Sequence, residues 1–156
     1  MKTAIAIAAA GVMSLGIAAT PATAYHLSPT STKFTGDGNT SATKNGITLP
    51  CHAHFTGKTT STGQGVITGG TFTDTTATGC KQVVLVGLPW KSKVKSAKKV
   101  LILNAQFNGP LGLNCGPSNV PTTLKGGVVS FTDVPMAGGC TVSGKLTTSP
   151  TLKIVP

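Results

Sequence analysis

Few residues in this chain can do chemistry. Four cysteines, three histidines and three carboxylates, all aspartate, stand against thirteen lysines, with no arginine and no glutamate. General acid–base catalysis needs two groups whose surroundings push their pKa values apart. Asp37, Asp74 and Asp133 instead occupy turn-like contexts. No Gly-x-Ser-x-Gly elbow marks a nucleophile, and the cysteines read as oxidised, which argues against a hydrolase. His52 and His54 flank Ala53, so in a strand both imidazoles share a face and could converge on a metal ion. No glutamate or free thiolate supplies a third ligand, and His26 could contribute only if the N-terminus folds back. The residues therefore read as no enzyme, no cofactor and no metal, with both histidines solvated or packed.

The most distinctive surface feature is LPWKSKVKSAKK (88–99), where Lys91, Lys93, Lys95, Lys98 and Lys99 fall within nine residues. Lys91, Lys93 and Lys95 share one side if the segment is a strand. Lysines along an edge strand deter sheet-to-sheet aggregation; they also suit contact with an anionic surface. Trp90, the single tryptophan, either anchors this segment in the core or sits at an apolar–water boundary.

The net charge is +10. Lysine is a hydrated point charge, poorly suited to the bidentate and stacked contacts by which arginine reads phosphates and bases. Nucleic-acid binding would also want aromatics interleaved with basic residues, so it is excluded. An anionic cell-surface polymer is the better polyanion.

The first twenty-four residues read as a secretory signal: Lys2, an apolar run, then Ala22-Thr23-Ala24 at the cleavage point. Residues 25–156 read as one exported domain, secreted to the periplasm or the medium. No later stretch is apolar enough to form an integral membrane segment. Export and an even cysteine count argue for disulfides.

The elements that position these residues are strands. Short β-branched runs separated by Gly, Pro, Asn and Asp predict an all-β single domain, a β-sandwich or flattened barrel. Strands are expected at 46–55, 65–73, 80–88, 100–107, 126–134, 141–148 and 151–155. FTGDGNT (34–40) and ATKNGIT (42–48) read as turns, and 92–100 as a basic strand or loop. The phrase Phe72-Thr-Asp74 … Gly79-Cys80 recurs as Phe131-Thr-Asp133 … Gly139-Cys140. Either the chain holds two related β units, or strand residues and glycine-rich turns coincide by chance. In both copies the phenylalanine is expected to face the core and the aspartate to end the strand, accepting backbone amides. Four cysteines allow three connectivities; one staple per unit, Cys51–Cys80 and Cys115–Cys140, is the simplest.

Cys51, Cys80, Leu88-Pro89-Trp90, Cys115, Cys140, Gly144, Leu146 and Ser149-Pro150 together resemble the PraB-type protein activator of alkane oxidation family of Gram-negative bacteria. The resemblance implies a small secreted protein that aids dispersal or presentation of long-chain hydrocarbon, with cell-surface and biofilm associations and no catalytic residues to carry over. For such a role, the loops around Pro89-Trp90, with Leu88, and Gly109-Pro110-Leu111 are expected to carry the apolar contact, with the lysines keeping the protein dispersed. The alternative is a structural or adhesive matrix protein that binds anionic polymers through Lys91 to Lys99. An apolar contact needs exposed surface; the runs 83–90 and 100–107 could supply it or be the most buried strands.

Overall fold

Asn45 and Gly46 take positive φ (51° and 77°), the two-residue hairpin geometry that this dipeptide favours. They turn β2 (Lys33–Lys44) into β3 (Ile47–Thr59). Repetition of this up-and-down step builds most of the molecule. The computed structural model describes residues 24–156; apart from Ala24, the segment read as a secretory signal lies outside the described residues. The remaining strands are β1 (His26–Ser28), β4 (Gly65–Asp74), β5 (Val84–Val86), β6 (Trp90–Val94), β7 (Lys99–Asn108), β8 (Asn114–Lys125), β9 (Val128–Met136), β10 (Cys140–Ser149) and β11 (Lys153–Val155). No helix among the described residues is long and apolar enough to cross a membrane.

Strands β2, β3, β4, β6, β7, β8, β9 and β10 pair antiparallel in sequence order, and β10 returns to β2. The result is a closed eight-stranded barrel with β5 as an extra strand on β7. Between the sandwich and the flattened barrel, closure decides for the barrel, which leaves unladdered stretches beside β5 and between β8 and β9 beyond Thr123–Ser130. One end carries the 45–46 turn, the 75–89 crossover, the 109–113 turn and the 137–139 turn. The other is covered by the ribbon of β1 and β11, where Leu27 of β1 and Leu152, just before β11, pack with Val100 and Leu124.

Both disulfides, Cys51–Cys80 and Cys115–Cys140, lie at the crossover end, in the pairing that the repeated phrase favours. They span 29 and 25 residues, each contributing about 3–4 kcal/mol in the chain-entropy account.

Three sequence expectations change. FTGDGNT is not a turn: Asp37 and Gly38 lie inside β2, opposite His54 and Ala53. Gly38 serves close approach, because a side chain there would strike the backbone carbonyl of Lys145 on β10. Residues 80–88 are not one strand but a 3-10 turn, Cys80–Gln82, followed by β5. The two aspartates of the repeated phrase also diverge. Asp74 ends β4 and accepts the Cys80 amide at 2.7 Å, as expected, whereas Asp133 sits within β9 at positive φ (47°), beside a register shift against β10, and meets the Ser143 hydroxyl at 3.2 Å. Phe72 and Phe131 both pack against the core.

Candidate ligand-binding cavity

Alternation along the strands decides what faces inward. On β3, Leu49, Cys51 and Ala53 are buried while His52 and His54 point outward; on β8, Val120, Thr122 and Leu124 are buried. On β6, Trp90 and Ser92 face in and Lys91 and Lys93 face out. The inward side chains do not fill the barrel. They leave a cavity of about 160 Å³, lined among others by Phe55, Phe72, Trp90, Leu113, Val120 and Leu146. Phe55 meets Phe72 edge-on at 5.7 Å and Trp90 at 6.5 Å, so three aromatics share one wall.

The buried polar groups in this lining are already engaged. Ser92 Oγ accepts the Gly65 amide at 3.0 Å, and the Thr122 hydroxyl donates to the Val100 carbonyl at 2.9 Å. The Thr148 hydroxyl donates to Gly127 and accepts the Leu152 amide. The indole N–H of Trp90 donates to the Val86 carbonyl at 2.8 Å. Among the described residues, no buried side-chain nitrogen or oxygen lacks a partner. A ligand that needs hydrogen bonds or charge compensation finds none free inside, and burying its polar groups there would be costly. An engineered apolar cavity of about 150 Å³ stays dry and takes benzene. This space therefore suits a hydrocarbon unit of similar size.

The residues singled out in sequence occupy different places. Trp90 is 5% exposed, so its indole belongs to the inner wall, the core-anchoring option, and an exposed Trp90 contact does not hold. Leu88 (36% exposed) and Pro89 lie on the outer side of the crossover, and Leu111 (73%) tops the 109–113 turn. Val84 (60%) and Ile47 (49%) are exposed at the same end as Leu111. Lys91, Lys93, Lys95, Lys98 and Lys99 are all exposed, lying toward the ribbon end with Lys33, Lys58, Lys125 and Lys153. Lys44 and Lys81 stand at the crossover end, where the Lys44 ammonium donates to the Gly112 carbonyl at 3.0 Å.

The runs 83–90 and 100–107 are neither wholly buried nor a continuous outer patch. Val83, Leu85 and Phe107 pack on the core, while Val84 is open to water. The outer face of β3 pairs His54 Nδ1 with Asp37 Oδ1 at 2.6 Å and His52 Nδ1 with Asn39 Oδ1 at 3.3 Å. The half-exposed His54–Asp37 pair contributes about 0–1 kcal/mol at most. Among the described residues no group of three or more His, Cys, Asp or Glu could hold a metal ion.

The cavity itself carries no motif. Its lining draws on β2 and β8, which the composition hides behind Gly, Asn and Pro. Only the alternation of Val120, Thr122 and Leu124 hints at an inward face.

No curated protein and no solved structure matches this chain. The model of the alkane oxidation protein activator PraA/PraB-like family matches residues 1–156, and the chain belongs to that family.

Proposed function

We propose that this protein is a secreted, non-catalytic accessory that takes part of a long-chain hydrocarbon into its barrel and presents it at the cell surface. The observation that carries this reading is the apolar cavity of about 160 Å³, with every buried polar side-chain atom among the described residues already paired. About six methylenes, the carbon count of benzene, would gain roughly 5 kcal/mol on burial at about 0.8 kcal/mol each. Immobilisation takes back a part of that. The resulting affinity is weak, near the millimolar range that about 4 kcal/mol corresponds to, which suits transfer better than storage. The exposed Ile47, Val84 and Leu111 at the crossover end supply apolar contact with a droplet, and the lysines toward the ribbon end keep the complex dispersed.

The non-catalytic reading is supported by the placement of the carboxylates. Asp37 pairs with His54 on the outer wall, Asp74 with the Cys80 amide, and Asp133 with Ser143. Export is supported by the signal read over residues 1–24 and by paired cysteines, which persist in oxidising compartments.

The test is a hexadecane–water measurement on residues 25–156, oxidised, at low and high salt. A fall in interfacial tension that is insensitive to salt and exceeds that of an equally basic control protein supports this reading. A fall no larger than the control's would end it. The second reading, a matrix or adhesive protein on anionic polymers, is favoured by the exposed lysines toward the ribbon end. It predicts binding to acidic polysaccharide that weakens with salt.

A further inference from the structure

The barrel wall is not equally sealed all round. β4 and β6 are joined only at Val66–Lys91 and Ile67–Trp90. Beyond these pairs, from Thr68 to Asp74, β4 keeps its ladder with β3 but has no strand bonded on its other side. What faces that bare edge is β5, which is itself bonded to β7 alone. A seam therefore runs between β4 and β5 over the half of the wall toward the crossover end.

A side chain, not a ladder, fills the seam. Leu85 Cδ1 lies 2.8 Å, and Phe55 Cδ1 2.9 Å, from where a Cβ on Gly70 would stand. The missing side chain at Gly70 is thus the space that Leu85 occupies. Leu85, Phe55 and Phe72 are also cavity-lining residues, so the plug of the seam is part of the wall of the cavity. The strap that carries Leu85 is pinned at both ends. At Cys80 it is held by the disulfide to Cys51 and by the Asp74 carboxylate; at Trp90 it enters the ladder. Between these points, Gly87 takes positive φ (69°), and Gly87, Leu88 and Pro89 are exposed.

The other ways in are closed by bonds. Around most of the wall, opening breaks ladder hydrogen bonds. β8 and β9 are laddered only from Thr123–Ser130 to Lys125–Val128, but their remaining stretch is tied by Gly116 N–H to Ala137 O, by Ala137 N–H to Ser118 Oγ and by the Cys115–Cys140 disulfide beside it. At the ribbon end it breaks Leu27 N–H to Gly63 O, Leu124 N–H to Lys98 O and Leu152 N–H to Thr148 Oγ1. At the crossover end, the covering turns are held by two disulfides and touch each other, Gly79 against Pro110 and Gly109 against Val83. Parting β4 from β5 costs the packing of Leu85 and no β4–β5 ladder bond.

We infer that the seam between β4 (Thr68–Asp74) and β5 is the entrance to the cavity, with Leu85 over Gly70 as its plug. A slot between two strands admits an unbranched alkyl chain lengthwise. This rests on the hydrocarbon-uptake reading above and adds to it where the chain passes and which residue it displaces.

Trp90 lines the cavity and is the single tryptophan, so its fluorescence reports filling by a bromoalkane quencher. The experiment mixes the oxidised protein rapidly with 1-bromohexane and follows quenching in the wild type, Leu85→Ala and Ile154→Ala. Loss of the plug should speed quenching by roughly tenfold or more, as removal of a packed leucine from the barrier to entry implies. Ile154→Ala, on β11 at the ribbon end and outside the cavity lining, should leave the rate unchanged. Equal rates in the wild type and Leu85→Ala, or acceleration by Ile154→Ala alone, would overturn the entrance while leaving uptake intact. Absence of quenching in all three proteins would end the uptake reading and the entrance with it. A measurement on the wild type alone covers the case in which Leu85→Ala does not fold. Saturation with 1-bromohexane should change amide exchange most in residues 68–74 and 84–86, and a change confined to the ribbon end would refute the entrance.

Discussion

Trp90 donates its indole N–H to the carbonyl of Val86, four residues earlier in the same crossover, at 2.8 Å. That bond closes the 87–89 bulge on itself and fixes the indole as inner wall, between the lysine-bearing outer face of β6 and the cavity. The tryptophan that the sequence left between core anchor and apolar–water boundary is part of the cavity wall.

Trp90→Ala should therefore unfold more readily, by about 3–5 kcal/mol, the range for truncating a buried aromatic. Trp90→Phe should keep the wall and lose mainly the hydrogen bond, about 1 kcal/mol. Urea denaturation of both variants checks this. Equal, small losses would mean that the indole is not packed as described.

Replacing Cys115 and Cys140 together by alanine should lower stability by about 2–5 kcal/mol. Thiol titration of the unreduced wild type should find no free cysteine, because all four are paired. Denaturation with and without reductant gives the size of the effect.

Gly38→Ala should cost about 1–3 kcal/mol through overpacking, because the new methyl group meets the Lys145 backbone carbonyl on β10. The thermal midpoint of the variant checks this, and an unchanged midpoint would mean that β2 and β10 do not approach as closely as described.

Val84→Ser with Leu111→Ser removes exposed apolar surface, and neutralising Lys91, Lys93, Lys95, Lys98 and Lys99 with glutamine removes exposed charge. At exposed sites each change should move stability by no more than about 0.5 kcal/mol. The first variant should weaken the effect on hexadecane–water tension. The second should leave that effect in place and abolish salt-sensitive retention on acidic polysaccharide. The reverse pattern would favour the adhesive reading.

Much of the architecture is legible in the residues alone. β-branched runs bounded by turn formers specify strands, Asn45-Gly46 specifies a hairpin, and the Cys–Phe-Thr-Asp–Gly-Cys phrase favours the disulfide pairing found. These signals are local, because backbone dihedral preference and side-chain alternation act over a few residues. β2 and β8 were not legible: KFTGDGNTSATK and NCGPSNVPTTLK are rich in poor strand formers. They are strands because neighbours on both sides supply the ladder bonds that their composition does not encourage. Closure of the barrel, the cavity within it and the seam at Leu85 depend on pairings between residues far apart in sequence. The inward turn of Trp90 depends on them too, because the register with Ile67 on β4 decides which face of β6 meets the interior. Sequence by itself determined most of the strands and a lysine-rich segment, and it favoured the staples without fixing them. Only the closed register decided that the apolar surface would line an inner space rather than cover the outside.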